Sequence, residues 1–299
     1  MPAGELHAVP SPLVTIATLR AGDEVRGVFA CTRKDRLLSR AGTPYLVVEL
    51  RDRTGVLPAR AFRDADLLAG RFEKGDLVHV AGRVERFRDE LQLELRAIAA
   101  APPSTADPAA FLPVAFRDLD ELDGFLEHLV GEVRDRGLHA LLDGIAADPA
   151  LRAALRRTPC TRAGHHAYLG GLLEHTVAVA TLAVEACVLH PRLGHDLLVT
   201  AAIVHDLGRT REFALGAEIE LTDAGRLLGH VDLGLRMLAE RARDCGLDDA
   251  RHLALAHCVA THHNDRRPAT PEAVTLQRLN ALDAAVKGAL EHGVKALTS

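Results

Sequence analysis

The chain has 299 residues, 48% hydrophobic and 26% charged, enough for one large or two ordinary domains with a real core, which excludes a disordered chain. Aromatics make up only 3%, with no Trp, so cores must be built from Leu, Val and Ala, and any base-stacking surface from few rings. The formal charge of −5 excludes a wholly basic nucleic-acid coat, yet residues 1–100 hold 16 Lys and Arg against 14 Asp and Glu, the half more congenial to a phosphate backbone.

Residues 14–100 read as strands. Val25–Phe29, Pro44–Leu50, Gly55–Ala61, Leu77–Val84 and Glu90–Leu95 are β-prone runs, with Arg51–Thr54 and Arg86–Asp89 as turns. Asp64–Phe72 has room for one short helix after the third strand, the element order of an all-β OB barrel. Lys34, Arg36 and Arg40 are expected in the loop between the first two strands, and Arg86 and Arg88 in the late hairpin. These are candidate phosphate contacts, with Tyr45 and Phe87 as candidate stacking rings. The Pro/Ala-rich stretch Ala99–Ala110 predicts a linker over 101–115.

Residues 116–299 are expected to form an all-α domain. Its predicted helices are Asp118–Arg136, Leu138–Ala147, Gly171–Leu189, Gly194–His205, Thr222–Cys245, Asp248–His262 and Pro271–His292. His175 shares a helical stripe with Leu172, Val179, Leu182, Ala186 and Leu189, and His205 shares one with Leu198, Ala201 and Ala202. Asp283 falls in line with Leu276, Leu279, Val286 and Leu290, Leu227 and Gly234 flank His230, and Leu255 and Val259 lead to His262 and His263. Burying an unpaired carboxylate is penalised by several kcal/mol. Coordination to divalent cations removes that penalty for all of these groups together.

Five cysteines (Cys31, Cys160, Cys187, Cys245, Cys258) form no CxxC pair, which predicts reduced thiols in a cytoplasmic protein. No secretory leader is read at the N-terminus, and no apolar stretch is expected to reach the roughly 20 residues that cross a bilayer, so no membrane partner is expected.

His175, the adjacent His205-Asp206 and Asp283 resemble the H…HD…D signature of HD phosphohydrolases. HHAYLGGLLEHT (His165–Thr176), AAIVHDLGR (Ala201–Arg209), GRLLGH (Gly225–His230), THHN (Thr261–Asn264) and LNALDA (Leu279–Ala284) together resemble the YhaM-type 3′→5′ exoribonucleases, which join an N-terminal OB domain to an HD domain. Two departures stand out: that family usually has Lys where this chain has Arg209, and SHHG where it reads THHN.

The resemblance implies a metal-dependent hydrolase removing 5′-mononucleotides from single-stranded RNA, with single-stranded DNA as a further substrate and a homo-oligomer as an assembly option. It gives His175, His205, Asp206 and Asp283 to a first ion, and makes Asp206 a bridge to a second ion held by His230, His262 and His263. Mn²⁺ is the expected ion, with Fe²⁺ or Mg²⁺ as alternatives and one or two ions bound. Arg209 would clamp the scissile phosphate, while His165 and His166 would contact phosphate or protonate the leaving oxygen. Two other functions fit less of the chain: hydrolysis of small nucleotides by an HD-type phosphodiesterase or phosphatase, and a non-catalytic RNA-binding or scaffold role.

Overall fold

A computed structural model describes residues 15–102, 105–263 and 267–293. Contacts divide the chain into two units, Met1–Pro113 with Leu215–Glu218, and Val114–Ala214 with Ile219–Ser299.

Alternation builds the first unit. Strands β1 (Glu24–Leu38), β2 (Pro44–Asp52), β3 (Gly55–Ala61), β4 (Leu77–Phe87) and β5 (Glu90–Ala100) close a barrel in the order β1-β2-β3-β5-β4. Every second residue of β2 and β3 points inward, so Leu46, Val48, Leu50, Leu57, Ala59 and Ala61 join Phe29, Val78, Leu93 and Ile98 in the core. Helix α1 (Ala65–Ala69) buries Ala65 and Leu68 against that core.

β1 is much longer than the run Val25–Phe29 suggests. It pairs with β4 through Glu24–Ala30 and with β2 through Ala30–Leu38, with a bulge between Cys31 and Arg33. Its polar second half is held by the ladder, which leaves no apolar pattern to read. Lys34 and Arg36 are therefore strand residues, not loop residues, and only Arg40 lies in the turn before β2. At the other end Arg88 and Asp89, both at positive φ (49° and 68°), form the two-residue connection of the β4–β5 hairpin.

In the second unit, Asp side chains cap α2 (Leu119–Gly131), α3 (Arg136–Ala146), α4 (Pro149–Arg157) and α9 (Asp249–Ala260). The helix expected over Asp118–Arg136 stops at Gly131, and the one expected over Leu138–Ala147 begins at Arg136, because Asp135 accepts from the Gly137 and Leu138 amides and caps α3 there. Asp148 and Pro149 start α4, which periodicity alone missed. The remaining long helices are α5 (Gly171–Leu189), α6 (His195–Val204), α8 (Asp223–Asp244) and α10 (Pro271–His292).

α5 packs against α2, α4, α6 and α10. Contrary to expectation it is long and apolar enough to cross a bilayer by length and composition, but Leu172, Leu173, Val177, Val179, Ala180 and Ala183 form the centre of this unit's core. The all-α expectation also needs correction. After the one-turn helix α7 (Arg209–Glu212) come β6 (Phe213–Leu215) and β7 (Ile219–Leu221), strands too short to show a period in sequence. The expected stripes overrun at their ends, for Leu189, Leu227, Val286 and Leu290 are exposed.

Two glycines set the approach of α8 to the turn after α6. A Cβ on Gly208 would clash with the His230 carbonyl oxygen and the Gly234 amide nitrogen, both rigid backbone. Gly229, at φ 71° and ψ 164°, kinks α8 one residue before His230, in a region open essentially to glycine alone. Gly208→Ala should accordingly destabilise the fold by about 1–3 kcal/mol through overpacking, read as a lower urea midpoint at unchanged slope. An unaltered midpoint would show that the two backbones can separate freely.

Candidate metal centre

Five segments of the second unit bring their side chains to one place: α5 (His175), the end of α6 (His205, Asp206), the kink of α8 (His230), the end of α9 (His262, His263) and the middle of α10 (Asp283). Their donor atoms fall into overlapping groups, His175–His205–Asp206, Asp206–His230–His262–His263 and His166–His175–Asp283, each spanning less than 4.8 Å.

Asp206 is 2% exposed and its two oxygens face different groups. Oδ2 lies 3.8 Å from His175 Nε2 and 3.7 Å from His205 Nε2. Oδ1 lies 3.3 Å from both His230 Nε2 and His262 Nε2. Burial opposes ionisation of this carboxyl, but above all the adjacent Arg209 guanidinium outweighs it and holds the pKa well below the usual carboxylate range.

The outer ring nitrogens reveal what the inner ones must be. His205 Nδ1 donates to the Ala202 carbonyl (2.9 Å), His262 Nδ1 to the Val259 carbonyl (2.6 Å) and His175 Nδ1 to Asp283 Oδ2 (2.6 Å). His230 Nδ1 points at Glu212 Oε1 (3.3 Å). Each neutral imidazole then presents a lone pair on Nε2. Those of His175 and His205 meet at 3.2 Å, and His230 Nε2 lies 2.9 Å from His263 Nε2. Asp206 Oδ1 and His262 Nε2 are buried without any hydrogen-bond partner. For His205 and His263 protonation is no escape, because burial drives the His205 pKa well below its ordinary value and that of His263 down to about 4. Acceptors converging on acceptors in a dry interior call for a cation, and imidazole with carboxylate fits divalent metals.

Supporting groups hold this arrangement. Glu212 accepts from the His230 amide (3.2 Å) through Oε1 and from Arg209 Nη1 (3.1 Å) through Oε2. From α10, Gln277 donates to the Thr261 and His263 carbonyls, and Asn280 to that of His262. None of the three was singled out from sequence. Gln277 and Asn280 share the stripe of Leu276, which was the available signal. Asn264, the last residue of the THHN motif, lies outside the described residues.

Other expected residues divide. Arg209 is buried, its Nε on Asp206 Oδ2 (2.7 Å), and lines a cavity of about 190 Å³ with His165, His262, His263, Gln277 and Asn280. A larger cavity, about 270 Å³ and mostly apolar, lies among α2, α3 and α4 and does not open on the ligands. His165 is at the site, but burial and the neighbouring imidazoles push its pKa to about 4. At neutral pH its ring is therefore uncharged in this metal-free structure.

His166 is 1% exposed, and both its nitrogens are engaged: Nε2 with Asp283 (3.0 Å), Nδ1 with Tyr168 Oη (2.8 Å). Because Tyr168 gives its own proton to Glu174 Oε2 (2.8 Å), both ring nitrogens donate and His166 is an imidazolium. Burial opposes that charge, but Asp283 and Glu174 outweigh it and raise the pKa. His166 thus orients Asp283 instead of touching a phosphate. Asp283 groups with His166 and His175, while His205 and Asp206 group with His175.

In the barrel, Lys34 is held by the Phe72 carbonyl (2.6 Å) and Glu73 (3.0 Å) and is not free for phosphate as expected, while Arg36 is exposed and pairs with Asp66 at the surface. Arg40 and Arg86 are exposed. Tyr45 stacks on Phe62 at 5.5 Å, and Phe62 is 55% exposed, a ring the sequence reading missed. Phe87 is exposed between the guanidinium groups of Arg60 and Arg88.

Two outcomes follow from this geometry. Asp206→Asn removes the shared charge and should abolish detectable divalent-metal binding by calorimetry; retention of full stoichiometry would refute the convergence argument. In metal-free protein, His165 and His263 take up protons near pH 4, whereas in the unfolded chain they do so near their ordinary 6.5. The unfolded state therefore binds more protons between these values, and stability should fall as pH drops from 6.5 to 4. Urea midpoints in EDTA at pH 7.5 and 5.0 measure it.

Comparison with known proteins agrees with the geometry. Residues 172–285 match the HD domain family, and residues 25–99 match the OB-fold nucleic acid binding domain family. The 3'-5' exoribonuclease YhaM of Shouchella clausii is 27% identical over 281 residues, covering 89% of this chain and 85% of that protein. Its namesake in Bacillus pumilus is 26% identical (93% and 91% covered), and that of Bacillus subtilis 25% (88% and 85%). With an OB-fold nucleic acid binding domain followed by an HD domain, the chain is similar over nearly its whole length to the proteins named 3'-5' exoribonuclease YhaM.

Proposed function

We propose that this protein is a metal-dependent 3′→5′ exoribonuclease that hydrolyses single-stranded RNA to 5′-mononucleotides. The observation that carries the chemistry is the buried Asp206 carboxylate with imidazole lone pairs facing each of its oxygens. Polarity and substrate come from the homologues named 3'-5' exoribonuclease YhaM. His175, His205 and Asp206 would hold one divalent ion, with Asp283 reaching it through or beside His175, and Asp206, His230, His262 and His263 a second. Such ions neutralise phosphate charge and generate a nucleophile from water near neutral pH. Mn²⁺ suits this donor set, since Mg²⁺ favours sites of oxygen alone.

The chain's own groups position the substrate. The 190 Å³ cavity lies below the usual range for small-molecule sites, roughly 300–1,000 Å³, and offers space for a phosphodiester with little else enclosed. That size favours a chain end over a whole small nucleotide. Arg209 and the uncharged His165 line it, the former supplying fixed positive charge. On the barrel, Tyr45 with Phe62, and Phe87 between Arg60 and Arg88, are the rings available for bases. A cytoplasmic location fits this substrate and the five unpaired thiols.

Purified protein with 5′-labelled single-stranded RNA and Mn²⁺ should produce a ladder shortening from the 3′ end, which EDTA and Asp206→Asn abolish. DNA of equal sequence and a panel of small nucleotides run in parallel; turnover of the small nucleotides alone would sink the exonuclease reading. Replacing Phe62 and Phe87 by Ala should weaken RNA binding by about 1–3 kcal/mol per lost stack, with hydrolysis of a dinucleotide much less affected.

A further inference from the structure

Cys160 stands beside the metal centre with no role in the account so far. It is fully buried, and its Sγ lies 3.7 Å from His165 Nε2 and 3.7 Å from Asp206 Oδ2. With His165 and His175 it forms a further group of donors lying within 4.8 Å of one another. A tetrahedral zinc site with Zn–S of about 2.3 Å and Zn–N of about 2.0–2.1 Å has a sulfur-to-nitrogen edge of about 3.6 Å. The observed 3.7 Å is close to that edge, so the thiol that now reaches His165 and donates to Asp206 Oδ2 already stands at the spacing of two ligands on one ion. Local bonds fix it: the Cys160 amide donates to the His166 carbonyl (3.0 Å), Thr161 Oγ1 donates to the His165 carbonyl (2.7 Å), and the Gly164 amide donates to Thr161 Oγ1 (2.9 Å).

We propose that Cys160, His165 and His175, together with Asp206 Oδ2, form a thiolate-containing site for a thiophilic divalent cation such as Zn²⁺, and that filling it inhibits the enzyme. Thiolate selects zinc or cobalt over manganese and magnesium. On binding, the thiol proton passes to solvent and the sulfur lone pair forms the bond to the ion. The site shares His175 and Asp206 with the catalytic set, so an ion held by sulfur withdraws both from it. The inhibitory part rests on the metal-dependent reading above; the site itself rests on Cys160 and its neighbours. Neither an isolated thiol nor a thiol pair explains the convergence of two imidazoles on this sulfur.

Cobalt tests this, because thiolate–cobalt bonds absorb in the near ultraviolet while nitrogen and oxygen ligands give only visible ligand-field bands. The metal-free full chain titrated with Co²⁺ should show both absorptions. In Cys160→Ser and Cys160→Ala, each checked for folding by far-ultraviolet dichroism, the near-ultraviolet band should vanish and the visible bands persist. Zn²⁺ added to the Mn²⁺-loaded enzyme should inhibit the native chain at a concentration at least tenfold lower than it does Cys160→Ala. Visible bands without a charge-transfer band in the native chain would overturn the thiolate site and leave the metal centre standing. Absence of any cobalt absorption would overturn both, and a band surviving in the variants would assign the sulfur to another cysteine.

Discussion

A carboxylate with two oxygens, sealed from water and ringed by imidazole nitrogens that have no protons to give it, is the constraint around which the helical unit is arranged. Asp206 cannot be left alone at 2% exposure. Arg209 satisfies part of Oδ2, and nothing donates to Oδ1. The same electrostatic demand is met by an ion between the oxygens and the rings, so cation binding and the stability of this core are one problem.

The surrounding structure keeps the lone pairs aimed against their mutual repulsion. Helix-end carbonyls of Ala202 and Val259 take the protons of His205 and His262 and thereby fix their tautomers. Glu212 ties together the kink of α8 and the guanidinium of Arg209, and Gly229 supplies the backbone turn that frees the His230 amide for it. The relay from Lys287 through Glu174 and Tyr168 to His166 ends on Asp283, which in turn holds His175. Disturbing any of these supports would move a donor without removing it.

The barrel works by different physics. Its strands are closed on themselves, and while Phe29 and Phe72 fill the core, Phe62 stacks on Tyr45 at the surface and Phe87 lies exposed beside Arg60 and Arg88. A chain with 3% aromatics that leaves two phenylalanines about half exposed on one small domain gives up core material there. Stacking on bases is a use for which that composition makes sense.

Sequence by itself determined the order of the strands, the position of the short helix, and the residue types that gather at the centre, because periodicity reports which side of an element is buried. It put His175, His205, Asp206, His230, His262, His263 and Asp283 on or beside inward faces for that reason, and the resemblance to HD phosphohydrolases joined them into one ligand set. Periodicity carries no information about partners across elements. Whether His166 faces a phosphate or is spent on Asp283, whether Lys34 is free or held by Glu73, and that Glu212 and Cys160 belong to the centre were settled only by tertiary packing. The ends of α5 and α10 show the same limit: the apolar stripe continues in sequence to Leu189 and Leu290, which are exposed, and only the packing decides where burial ends.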